Sequence, residues 1–129
     1  MEASGTNAKD YKWAVFHQPN TQVPQRVASG LGFSMEQIEP GLLVPVIGNT
    51  YAGAAMIGLT ATLDLAQPGD RILVVSFGSG AGSDAFDITV TDAAPLRAGL
   101  ANKTQDYVKR RTEIDYATYV RFRGKLAMK

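Results

Sequence analysis

A single histidine, one asparagine and one glycine-rich turn are the residues of this chain whose types and settings suit chemistry. His17 follows the apolar run Trp13-Ala14-Val15-Phe16 and opens His17-Gln18-Pro19-Asn20; it is the only histidine present. An imidazole titrates near neutral pH, so it can move a proton or hydrogen-bond a reacting oxygen. A satisfied structural hydrogen bond is the competing reading. Pro19 and Asn20 turn the chain away and leave the ring at a rim. Asn49, between Gly48 and a predicted helix start, also has two readings. Its side chain can cap that helix, a position asparagine favours, or its amide can donate to a substrate carbonyl oxygen. In Ser76-Phe77-Gly78-Ser79-Gly80-Ala81-Gly82, three glycines let backbone N–H groups approach an oxyanion. A plain hairpin turn is the alternative, and no lysine follows as a nucleotide phosphate loop requires. The set lacks a nucleophile, since the chain has no cysteine. An acid/base with nothing to activate reads as part of an active site.

The elements that must position these groups appear as hydrophobic runs. Residues 13–16 read as a short buried strand, with His17 at the edge where open α/β sheets bind ligands. Pro24 suits the first turn of a helix that continues through Val27, Ala28 and Leu31 and stops at Gly30 to Gly32. Ser34 and Gln37 form a capping box for a brief turn ended by Pro40-Gly41. Residues 42–47 are apolar and partly β-branched; Pro45 makes them an edge or irregular strand. A helix is predicted over 51–66, rich in Ala52, Gly53, Ala54, Ala55, Gly58 and Ala61. Each glycine costs about 1 kcal/mol against alanine, which close packing on a neighbouring backbone would offset. Residues 71–77, with Ile72 to Val75 buried on both faces, are the strongest strand, and 85–91 form another. The order β-α-(β)-α-β-β predicts a layered α/β sheet. Residues 93–102 read as a linker. The Lys-, Arg- and Tyr-rich stretch 103–129 fits a helical face (Tyr116, Tyr119, Val120, Arg123) as well as strand alternation (Ile114, Tyr116, Thr118, Val120, Phe122).

Composition sets the outer bounds. At 129 residues, 45% apolar and 19% charged, the chain suits one globular domain. Thirteen basic against twelve acidic residues give net +1, so no electrostatic case arises for nucleic acid or an acidic membrane. Without cysteine there are no disulfides or thiolate metal sites, and one histidine makes an internal transition-metal site an unfavoured expectation. Residues 1–10 are polar and small and read as a disordered or leader segment without a secretion signal. The apolar stretch 52–63 is broken by glycines, closed by Asp64 and too short for a membrane span.

Together the motifs are more specific. His17-Gln18-Pro19-Asn20, Gly48-Asn49-Thr50-Tyr51, Pro68-Gly69-Asp70-Arg71 and Ser79-Gly80-Ala81-Gly82-Ser83-Asp84-Ala85-Phe86 resemble the C-terminal part of archaeal-type hydroxymethylglutaryl-CoA (HMG-CoA) synthase, of the thiolase superfamily. Asp115-Tyr116-Ala117-Thr118-Tyr119 and Arg123-Gly124-Lys125 resemble that family's tail. The resemblance implies the C-terminal half of a thiolase-like fold, layered α-β-α with a mixed sheet, over 11–92, followed by a linker and docking arm over 93–129. It implies an acyltransferase of the mevalonate pathway, in the cytoplasm, with coenzyme A thioesters as substrates and no further cofactor. A cysteine is acetylated by acetyl-CoA, a glutamate deprotonates the methyl group, and the carbanion attacks acetoacetyl-CoA. By position, His17 would be the acid/base and carbonyl polariser, and Asn49 would hydrogen-bond the thioester. Ser79 and Gly80 would line the acyl pocket. Arg26 would contact coenzyme A, where a guanidinium suits phosphate. Gln22 stands where the family usually has a lysine, which puts one phosphate contact in doubt. The catalytic cysteine and glutamate are absent, and Glu36, Glu39 and Glu113 match no catalytic position. The expected partner is therefore a chain carrying both, in a hetero-oligomer. Acetoacetyl-CoA thiolase and a zinc-ribbon/OB-fold protein are further expected partners. The alternatives are a non-catalytic CoA-binding scaffold, a truncated piece of a full-length enzyme, or a ketoacyl-synthase-like acyltransferase with another acceptor.

Overall fold

The computed structural model describes residues 4–78, 80 and 82–125. The strand expected before His17 is β1 (Trp13–Phe16). It runs parallel to β2 (Arg71–Gly78), with Trp13 opposite Ile72 and Phe16 opposite Val75. A parallel pair needs a crossover, and four helices fill it: α1 (Gln22–Gly30), α2 (Met35–Ile38), α3 (Val44–Ile47) and α4 (Ala54–Leu63). β2 then turns back into β3 (Gly82–Thr89), antiparallel, from Arg71 opposite Thr89 to Gly78 opposite Gly82. The sheet is mixed, in the order β1-β2-β3.

Strand alternation sends side chains to two cores. Ala14, Phe16 and Leu73 face Ala28 of α1 and Ile38 of α2, together with Tyr11 and Phe33. Val15, Ile72 and Val74 face Ala55 of α4. Helices thus cover both faces of β1 and β2, the layered arrangement that the sequence predicts. Within residues 1–10, Asn7 caps a 3₁₀ turn over Ala8–Asp10, and Ala8 is buried in the first core.

Residues 42–47 are not a strand. A 3₁₀ turn (Glu39–Gly41) leads into α3, and Pro45 sits in its first turn, where a missing N–H costs nothing. The N–H groups of Leu43 and Val44 are taken by the side chain of Gln18, 2.8 Å each, so no ladder forms there. The helix expected over 51–66 is shorter, a 3₁₀ turn (Tyr51–Gly53) followed by α4. Its small residues do allow close approach: a Cβ on Gly58 would lie 2.8 Å from the Gly41 carbonyl oxygen and 2.9 Å from Val15 Cγ1. β3 begins three residues before the expected start at 85, so the glycine-rich stretch is mostly hairpin strand rather than loop.

Beyond β3 come α5 (Ala94–Arg97), α6 (Thr104–Lys109) and α7 (Tyr116–Phe122). The Asp115 carboxylate accepts the Thr118 N–H at 2.7 Å and opens α7 as a helix rather than a strand. α6 is fastened to α4: the Thr104 N–H donates to Asp64 Oδ2 at 2.6 Å, and the Thr104 and Thr60 hydroxyls are 3.1 Å apart. No helix among the described residues is long and apolar enough to cross a membrane.

Candidate active site at the end of the first strand

The His17 N–H donates to the Val75 carbonyl at 2.8 Å, which carries the β1–β2 pairing one residue further. The half-buried imidazole therefore sits at the strand end, as predicted. It faces the Phe77 ring at 5.8 Å between centroids, tilted by 56°. Its Nδ1 is buried and has no hydrogen-bond partner among the described residues. Asn20 Oδ1 accepts the N–H groups of Gln22 and Val23, 3.0 Å each, so it starts α1 and turns the chain off the rim.

Between them lies a residue to which sequence reasoning assigned no separate role. Gln18 is 3% exposed. Its Nε2 donates to the carbonyls of Gly41 (2.7 Å) and Ala54 (3.3 Å), while Oε1 accepts from Leu43 and Val44. One amide thus ties the residue after His17 to the turn before α3 and to the start of α4. A glutamine flanked by a histidine and a proline gives no local sign of this role, because its partners lie 23 to 36 residues away.

Asn49 stands in the loop that leads into that start of α4. Gly48 has φ 75°, a left-handed conformation in which glycine avoids the side-chain clash. Asn49 Oδ1 accepts the Tyr51 N–H at 2.7 Å, so the capping reading is realised in an Asx turn. Asn49 is exposed, and no hydrogen bond of its Nδ2 is found among the described residues. Tyr51 holds φ 54°, uncommon for a bulky side chain. Backbone strain of this kind clusters at functional sites.

Gln22 and Arg26 lie one turn apart on α1 and line a shallow hollow of about 470 Å³ with Gln25, Ser29 and Gly30. Both are exposed, five and nine residues after His17. Gly80 is exposed at the hairpin tip, and Ser79 lies outside the described residues. The larger apolar hollow is elsewhere, between α4 (Ile57, Leu63) and α6 (Tyr107, Val108). Carboxylates with shifted pKa values also lie away from His17. Asp87 is held below the usual range by hydrogen bonds from Arg71 and Tyr11, and Asp115 by the Thr118 N–H. No group of three His, Cys, Asp or Glu side chains among the described residues could hold a metal ion.

A mixed sheet between helical layers, with a histidine at one strand end and an asparagine in the loop before α4, defines the class first: a thiolase-like fold. More narrowly, the chain belongs to the family described as 3-oxoacyl-[acyl-carrier-protein] synthase III C terminal, whose model matches residues 1–88. It is similar to the HMG-CoA synthase of Methanocella arvoryzae, 57% identical over 126 residues, which are 98% of this chain and 36% of that protein. The HMG-CoA synthase of Aeropyrum pernix is 53% identical over 129 residues, 100% of this chain and 36% of the relative. Among solved structures it resembles PksG, an HMG-CoA synthase from Bacillus subtilis, with TM-score 0.75, 19% identity, and coverage of 95% of this chain and 35% of that one. An HMG-CoA synthase complexed with CoA gives 0.69, 22%, 92% and 34%. At those identities the structures establish the fold. The chain spans just over a third of the length of the relatives it matches.

Proposed function

We propose that this chain supplies the C-terminal part of an HMG-CoA synthase, as one subunit of a split enzyme condensing acetyl-CoA with acetoacetyl-CoA in the mevalonate pathway. The observation that carries the reading is a mismatch. The chain is 57% identical to a synthase over nearly its whole length, yet it has no cysteine to hold the acetyl group. A companion chain brings that thiol and a glutamate. The exposed part of α4 fits such a companion: the helix is mostly small and apolar, and Met56 on it is exposed.

In the reaction the companion's thiolate takes the acetyl group from coenzyme A, and its glutamate removes a methyl proton. The resulting carbanion forms a bond to the ketone carbon of acetoacetyl-CoA, and the ketone oxygen gains the electron pair. His17 Nε2 hydrogen-bonds that oxygen and delivers the proton that makes it a hydroxyl. Asn49 Nδ2 donates to the substrate thioester carbonyl. Water then cleaves the thioester to the cysteine and releases HMG-CoA. Gln22 and Arg26 receive coenzyme A phosphate, and Ser79 and Gly80 border the acyl group. Acetoacetyl-CoA thiolase and a zinc-ribbon/OB-fold protein meet the arm after 92, in the cytoplasm.

The test is release of coenzyme A by this chain mixed with a companion carrying cysteine and glutamate. His17→Ala is expected to lower turnover by about 100- to 10,000-fold. Asn49→Asp keeps the acceptor for Tyr51 N–H and loses the donor, with an expected loss of about 100-fold and unchanged folding. An inactive mixture, or a His17→Ala complex within a few-fold of the parent, overturns the reading. A second reading, acyl groups carried on an acyl-carrier protein, is favoured by the name of the matching family model. Turnover with acetyl-carrier protein but not acetyl-CoA would select it.

A further inference from the structure

Phe77 stands against the imidazole of His17, with 5.8 Å between ring centroids and a tilt of 56°. The backbone sets this contact. The His17 N–H donates to the Val75 carbonyl, two residues before Phe77 on β2. Phe77 is held in the hairpin opposite Ser83, whose hydroxyl donates to the Ser76 carbonyl at 2.9 Å. A ring carried on a paired strand is a firmer support than one on a loop. Phe77 belongs to neither buried cluster and is 48% exposed, so it closes no core.

Fixing the His17 backbone leaves χ1 and χ2 of its side chain free. The outer torsion of a histidine is broad, so the ring can turn about its own bond and carry Nε2 away from a target. Among the described residues no hydrogen bond at Nδ1 restrains that turn. An apolar ring alongside restrains it by contact. Phe77 has no polar side-chain atom and neither takes nor gives a proton, so the imidazole can deliver its proton and regain it with its plane held. Resting on the reaction proposed above, we infer that Phe77 is a positioning residue for that delivery: it keeps the His17 ring where Nε2 meets the ketone oxygen. It acts through the imidazole and not on the substrate. A reacting group misplaced by about 1 Å loses about 100-fold in rate.

In the complex with the companion, Phe77→Ala is expected to lower kcat by about 100-fold, with KM for acetoacetyl-CoA within a few-fold of the parent. Phe77→Tyr keeps the ring and is expected to stay within a few-fold of the parent in both. The second measurement is spectroscopic. His17 is the only histidine, and both rings belong to this chain, so the full chain answers without the companion. The order parameter of the His17 ring C–H bonds is expected to fall from about 0.85 in the parent to below about 0.6 in Phe77→Ala. If Phe77→Ala lowers the urea midpoint, Phe77→Leu keeps the bulk without the flat face and carries the same test. A kcat within a few-fold of the parent overturns the inference. So does a loss that lies in KM, which would make Phe77 a substrate contact, or a His17 ring equally mobile in parent and variant. The two proposals fail separately. A parent complex that does not condense sinks the reaction, and the order parameter still decides whether Phe77 restrains the ring.

Discussion

The corner around Gln18 and the outer strand β3 are built on opposite terms. At the corner, both amide atoms of Gln18 are bonded, and Gly58 meets Gly41 with no room for a methyl group. Along β3 almost every residue is exposed, including Phe86 at 54%. The corner reads as complete within this chain, whereas β3 reads as one side of something larger. The catalytic candidates sit at the boundary. Gln18 ties the residue after His17 to the backbone before α3 and at the start of α4, while the buried imidazole Nδ1 has no hydrogen bond among the described residues.

Substitutions sharpen the contrast. Gln18→Leu should have the largest effect on folding. It removes both acceptor and donor from four buried or part-buried backbone groups, at about 1–3 kcal/mol for each one left unsatisfied. A loss of about 4 kcal/mol is expected, read as a lower urea midpoint, and an unchanged midpoint would break the comparison. Next comes the ion pair that joins the base of the hairpin. Arg71 Nη2 lies 2.6 Å from Asp87 Oδ2, and Tyr11 Oη donates to the same oxygen at 3.0 Å. The Asp87 carboxyl is thereby held below its ordinary value of 3.8. A carboxyl with a lowered native pKa stabilises fully above the unfolded value and loses that contribution as pH falls through the native one. Stability should therefore fall below about pH 4, and Asp87→Asn should flatten that part of the profile. Both groups are about one-third exposed, so water and salt screen the pair and its share is small. The smallest effect belongs to β3. Phe86→Ser should shift stability by less than about 0.5 kcal/mol. A large loss would mean that β3 already packs within the chain.

Much of this architecture is legible in the residues. The runs at Trp13–Phe16 and Arg71–Gly78 are apolar enough to demand burial on both faces, and the small residues of α4 announce a close backbone contact. His17 is placed by β1 and Asn49 by the turn that its own side chain closes. Two features escape for physical reasons. Residues 42–47 carry β-branched side chains, but their amides are claimed by Gln18, and that claim is non-local. In α7, alternation and helical spacing coincide, and the Asp115 cap tips the balance through one local hydrogen bond.

The clasp between Thr104 and Asp64 sets the reach of the terminal segment. α6 is thereby pinned to α4, and the segment that follows starts from that side of the molecule. The four residues after Arg111 and the seven-residue α7 together reach at most roughly 25 Å from Arg111. A protein gripping Tyr116 or Phe122 must therefore approach the α4 side of the molecule, within that radius. Cutting the anchor with Thr104→Pro would lengthen the leash without touching His17 or Asn49.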